Sequence, residues 1–194
     1  MSRKILWNLK AKLYQKFRSI FPFGYILRQE NESLLSLIKV TPANIQTALD
    51  LGTGEGNVLK LITSPVKKIG IDSNFNMLVN ARRNIKAEFI NGDVVFLSLK
   101  NKIADLVLII GVLEYFPELE PVFNEIYRIT TKNAHVIISY SPNNVWTFLR
   151  QFSGHRIFPN KLKKMKKIVQ KSGFQFVTHK RLIMQHQILI KKVE

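Results

Sequence analysis

An apolar segment that runs directly into closely spaced glycines constrains this chain more than any other feature: Ala48-Leu49-Asp50-Leu51-Gly52-Thr53-Gly54-Glu55-Gly56. The segment reads as a buried strand. Glycines just after it let the backbone turn sharply and approach a ligand at the strand's carboxyl end, the edge at which open α/β sheets bind. A ligand with a nucleoside suits such a loop. A dinucleotide does not, because its fingerprint wants a third glycine where this chain has Asn57, and Glu55 sets a carboxylate near the place of a pyrophosphate.

Short apolar runs and helical patterns alternate beyond that loop. Strands are expected at Thr47 to Leu51, Lys68 to Ile71, Ala87 to Ile90, Leu106 to Ile110 and His135 to Tyr140. Helices are expected at Asn57 to Ile62, Asn74 to Ile85, Leu119 to Ile129 and Lys161 to Lys171. This alternation builds a parallel sheet covered on both faces. Phe174 to Thr178 and Met184 to Lys191 read as two further strands joined by a short basic turn, so an antiparallel hairpin closes the sheet. Two helices precede the first strand: a basic amphipathic one from Ile5 to Phe21, broken by Pro22 and Gly24, and a second from Ile26 to Val40.

A length of 194 residues holds one domain with end extensions. With no cysteine, disulfides, thiolate metal sites and cysteine nucleophiles are excluded, which fits a cytoplasmic protein. The longest strongly apolar run, Leu106 to Leu113, is far short of the roughly 20 residues of a spanning helix, and Lys10, Lys12 and Lys16 interrupt any secretory core. The net charge of +17 sits on the flanks. Residues 42–140 are balanced, whereas residues 1–41 carry eight basic against two acidic side chains and residues 141–194 twelve against one. The flanks would therefore bring a polyanionic surface or substrate to a neutral centre.

The glycine loop resembles the first motif of class I S-adenosylmethionine-dependent methyltransferases, with Asp50 as the acid two residues before G-x-G-x-G. Ile69-Gly70-Ile71-Asp72 is similar to that family's second strand, which ends in the acid that grips both ribose hydroxyls, and Met77-Leu78 follows in the next helix. Ionised carboxylates only accept hydrogen bonds, as two vicinal hydroxyls require. Ile90-Asn91-Gly92-Asp93-Val94 resembles the third motif, whose acid takes the adenine amino group while the next residue packs on the ring. Asp105 to Phe116, with Gly111, Glu114 and Tyr115, resembles the fourth strand and the segment lining methyl donor and acceptor. Ser172-Gly173-Phe174 matches the step into the terminal hairpin. One departure is Thr131-Lys132-Asn133-Ala134, where the family usually has Pro-Gly-Gly before the fifth strand; altered turn chemistry is expected there.

The resemblance implies an α/β, Rossmann-like seven-stranded sheet over residues 42–194, capped by helices in residues 1–41, and S-adenosyl-L-methionine as cofactor with S-adenosyl-L-homocysteine as product. The implied donor site is Asp50, Gly52, Thr53, Gly54, Gly56, Asp72, Ser73, Met77, Asp93, Val94 and Gly111. Methyl transfer is a direct displacement that needs alignment rather than an obligatory nucleophile or metal. Candidates on the acceptor side are Glu114, Tyr115 and His155, the last beside Arg156 in an insertion after the fifth strand. Base amino-methylation would want Asn/Asp-Pro-Pro-aromatic where the chain has Gly111-Val112-Leu113-Glu114, and pyrimidine C5 chemistry would want a cysteine. A small-molecule or lipid acceptor of the ubiquinone/menaquinone kind is expected, with RNA as the alternative polyanion for the basic flanks. The first helix, with Trp7, Tyr14 and Phe17, suits peripheral attachment to an anionic inner membrane face.

Overall fold

A computed structural model describes residues 23–151 and 156–193. Its strands are β1 (Thr47–Leu51), β2 (Lys67–Asp72), β3 (Glu88–Asn91), β4 (Ala104–Ile109), β5 (Thr130–Tyr140), β6 (Phe174–Arg181) and β7 (His186–Lys192). Its helices are α1 (Phe23–Lys39), α2 (Phe75–Asn84), α3 (Glu120–Ile129), α4 (Val145–Gln151) and α5 (Leu162–Lys171). The strands form one sheet in the order β3-β2-β1-β4-β5-β7-β6. The first five run parallel, and β7 lies antiparallel between β5 and β6. This is the expected Rossmann-like sheet with its terminal hairpin.

Central strands such as Ala104–Ile109 are apolar without alternation because both sheet faces are covered. On one face Ala48, Leu106, Leu108, Ile137 and Leu189 pack with Leu34 and Leu37 of α1 and with Leu78 and Ala81 of α2. On the other, Leu49, Val107, Val136 and Ile190 meet α3 through Phe123 and Ile126 and α5 through Met165 and Val169. Each such leucine or isoleucine stabilises the fold by about 1.5–3 kcal/mol. The α5 lysines are exposed, and Lys166 places its ammonium 4.4 Å from the ring centre of Phe176 on β6.

Local sequence sets several boundaries. Asn74 caps α2, its side chain accepting from Asn76 N at 3.0 Å, so the cap is neither Asp72 nor Ser73. Asn133 adopts φ +62°, meeting with an asparagine the turn where the family resemblance has glycines. Residues 57–62 do not form the expected helix; only Leu59–Leu61 makes one 3-10 turn, because six residues separate Gly56 from Thr63-Ser64-Pro65. Strand β5 begins five residues earlier than expected, Thr130 pairing with Ala104 before a register shift that leads to His135 opposite Leu106. Strand β6 runs on to Arg181, so Lys180 and Arg181 lie on the strand and the turn to β7 is apolar rather than basic, Leu182-Ile183-Met184. The expected first helix, Ile5 to Phe21, and His155 lie outside the described residues.

Candidate functional site

The glycine loop leaves β1 at the carboxyl edge of the sheet, where Gly52 N and Thr53 N both donate to Ile71 O (2.7 and 2.9 Å) and so tie the loop to β2. Gly52, Gly54, Gly56 and Gly111 all have positive φ. Their surroundings differ. A Cβ at Gly52 would lie 2.3 Å from Val112 Cγ2 and one at Gly56 2.2 Å from Ile85 Cδ1, whereas at Gly54 and Gly111 it would meet nothing within 4 Å. The first pair is dictated by protein packing. The second pair, at the ends of β1 and β4, faces open space.

Asp72 ends β2 and holds that cleft's floor. Its Oδ2 accepts from Gly54 N and its Oδ1 from Asn74 N, both at 2.8 Å. Burial pushes its carboxyl upward against the opposing pull of these two amides. Each oxygen keeps a further lone pair, so two vicinal hydroxyls could be accepted side by side. Asp50 is deeper. Only 1% exposed, it accepts from Thr53 Oγ1 at 2.7 Å, and burial raises its pKa from 3.8 to about 7, with the Asp72 charge adding to the rise and the Thr53 bond opposing it. It braces the loop from beneath.

Beyond β3, Asp93 is exposed, with its Oδ1 accepting from Val95 N at 3.1 Å, and Val94 is buried in the core. Ser73 is exposed and Met77 half-buried on the first turn of α2. Asp105 belongs to the opposite edge, where it accepts from Gln46 N, Thr47 N and Thr131 Oγ1, a structural clamp.

The far side of the cleft is made after β4. Gly111 N donates to Ser139 Oγ of β5 at 2.7 Å, and Leu113–Tyr115 forms a 3-10 turn with Tyr115 half-buried. Glu114 is 2% exposed, and its Oε1 accepts from Arg150 Nη2 of α4 at 3.1 Å. Arg150 Nη1 also donates to Ser141 Oγ (3.0 Å) and Met184 O (3.3 Å). Glu114 Oε2 has no hydrogen-bond partner among the described residues. Nearby, Tyr140 OH lies 3.1 Å from His186 Nδ1; burial pushes Tyr140 up to about 12 and His186 down, so the imidazole is neutral at neutral pH. Tyr25 of α1 is 56% exposed and does not fill the core.

The structure thus brings Asp50, the glycines, Asp72 and Gly111 to neighbouring strand ends at the carboxyl edge of the sheet, with Glu114 and Tyr115 in the turn that follows β4. Sequence reasoning missed Arg150, Ser139 and Ser141. A legible signal for α4 existed: Asn144 after Pro142-Asn143 is a helix N-cap, and its Oδ1 accepts from Thr147 N at 2.9 Å. Among the described residues no cluster of histidine and carboxylate side chains could hold a metal ion, and no helix is long and apolar enough to cross a membrane.

Residues 49–138 match the family described as methyltransferase domain. No curated protein matches the chain. Among solved structures, a chain from the complex of the Haloferax volcanii Trm112 methyltransferase activator with a methyltransferase is similar over 100% of both chains, with TM-score 0.82 and 14% identity. Magnesium protoporphyrin IX methyltransferase from Synechocystis PCC 6803, with bound S-adenosylhomocysteine, covers 97% of each chain with TM-score 0.77 and 17% identity. An S-adenosylmethionine-dependent methyltransferase from Thermotoga maritima covers 97% of this chain and 99% of its own, with TM-score 0.73 and 17% identity.

Proposed function

We propose that this chain, which carries a methyltransferase domain over residues 49–138, is a class I S-adenosylmethionine-dependent methyltransferase that methylates a small-molecule acceptor of lipid- or quinone-like chemistry, taken up between the Gly111 to Tyr115 segment and α4. The observation that carries the reading is the pair Gly54 and Gly111, both at positive φ with open space where a side chain would project. When bound, S-adenosyl-L-methionine supplies a methyl on a sulfonium and remains as S-adenosyl-L-homocysteine. Asp72 accepts the ribose hydroxyls through the lone pairs its two amide bonds leave. Asp93 and Val94 take the adenine, and Thr53, Ser73 and Met77 border the donor. Asp50 holds the loop rather than the ligand.

On the acceptor side Glu114 is a positioning residue, because its carboxylate is clamped by Arg150 and anchors the segment that faces the methyl. Tyr115, half-buried in the same turn, is proposed for direct contact with the acceptor, and His155, outside the described residues, stays the second candidate from the sequence. Residues 1–41 cap a methyltransferase domain of residues 42–194, and the cap's α1 adds Leu34 and Leu37 to the core. The lysines of α5 favour RNA as the second reading of the acceptor. Isothermal titration decides the donor assignment: S-adenosyl-L-homocysteine should bind wild type and bind Asp72→Ala at least tenfold more weakly. Binding of NADH in its place would sink it.

A further inference from the structure

Helix α4 is turned inside out. Its polar Thr147 is buried and its Arg150 reaches inward to Glu114 and Ser141, while Val145, Trp146, Phe148 and Leu149 stand 36–63% exposed on the other side. A helix on a globular surface has the opposite arrangement, with its apolar stripe against the core. The patch extends onto the turn between β6 and β7, because Asn144 Nδ2 donates to Ile183 O at 2.8 Å and Arg150 Nη1 reaches Met184 O, and Ile183 is itself 48% exposed. Contiguous exposed apolar surface of this kind marks an interaction site.

Charge identifies the partner. From Ser141 to Val193 the sequence has twelve basic side chains and no acidic one, and Lys180 and Arg181, the last residues of β6, are exposed where the strand enters the turn of this patch. A second copy would bring a like-charged surface against it. Residues 1–22 would do the same, with six basic and no acidic side chains. RNA would match the charge but not Val145, Leu149 and Ile183, which have no ring to stack on a base. An anionic lipid interface matches both, with Trp146 at the level of the headgroups and its aliphatic neighbours just below.

We infer that α4 and the β6–β7 turn together form a surface that seats in an anionic lipid interface. Resting on the reading that the acceptor enters beside α4, this places an amphiphilic acceptor's point of entry at the bilayer, since Arg150 couples the seated helix to Glu114 on the cleft wall.

The test uses the full chain in a Trp7→Phe background, which leaves Trp146 as the sole tryptophan. At low salt, vesicles of phosphatidylglycerol and phosphatidylcholine should float the protein, shift Trp146 emission to the blue and, with brominated acyl chains, quench it; phosphatidylcholine alone should not. Phe148→Ser with Leu149→Ser should lower the vesicle-bound fraction at least tenfold with titration of S-adenosyl-L-homocysteine unchanged. Unquenched Trp146, or equal vesicle binding by the variant, overturns the proposal. So does a wild-type dimer that the variant makes monomeric, RNA binding that survives where vesicle binding is absent, or Trp146 emission that is blue in solution and moves red when residues 1–22 are removed. Vesicle binding without binding of S-adenosyl-L-homocysteine would leave this surface standing and remove the donor assignment instead.

Discussion

At the carboxyl ends of β1 and β2 the cleft is held open by backbone shape and by bonds that stay local: Gly52 and Thr53 amides to Ile71, the Gly54 amide to Asp72, the Thr53 hydroxyl to Asp50. At the ends of β4, β5 and β7 the wall is instead knotted by side chains from distant parts of the chain, with Arg150 alone joining Glu114, Ser141 and Met184. The first half draws its shape from residue types at short spacing. The second depends on a few long-range contacts, so one substitution there loosens several elements at once.

Arg150→Ala should therefore be the most damaging change in this comparison. It leaves a carboxylate buried with neither oxygen paired by that arginine, which costs about 3–5 kcal/mol. Urea unfolding measures it, and adding Glu114→Gln should recover much of the loss by removing the stranded charge. An unfolding midpoint that Arg150→Ala does not move would show that the far wall is not held by this pair.

In the donor half the largest effect is one of pH. Asp50 in the folded chain has a pKa of about 7 against 3.8 when exposed, so the folded state holds an extra proton between those values. Its contribution is full below about pH 4 and is lost as pH rises through 7, a fall on the order of 4 kcal/mol. Asp50→Asn should flatten that slope in denaturation curves taken from pH 4 to 8; an unchanged slope would assign it to other groups. Asp72→Ala should weaken S-adenosyl-L-homocysteine by about 1.5–3 kcal/mol, roughly tenfold to a hundredfold, for each charge-assisted bond lost. Melting temperature should change far less than affinity. The smallest effect should come from Gly54→Ala, where left-handed backbone costs about 1 kcal/mol but no protein atom obstructs the methyl; its affinity loss in the same titration should exceed its stability loss.

The two halves were also unequally legible. The glycine loop after an apolar strand was legible from spacing, and the family resemblance singled out Asp50 and Asp72, which lie near the ends of β1 and β2 in a sheet whose alternation was plain. Helix α4 escaped because it is only seven residues long, so Val145, Trp146, Phe148 and Leu149 give less than two turns of helical spacing, too short a window for the pattern to stand out. Arg150 escaped with it, since nothing local announces a partner 36 residues away. The turn after β6 was misjudged because His179, Lys180 and Arg181 look like loop residues, although they pair along an edge strand with Ile188, Gln187 and His186.

The place of β7 bears on how the chain is made. Its residues pair with β5 across a gap of 46 positions at Tyr140 and His186, and β6 has β7 as its sheet neighbour. At ribosomal speeds of about 5–20 residues per second, β5 spends several seconds with an open hydrogen-bonding edge before residues 186–192 emerge to close it. During that interval Ile137 and Ile138 lack the cover of Leu189 and Ile188. A nascent chain stalled near residue 180 would expose that edge to pairing with other strands.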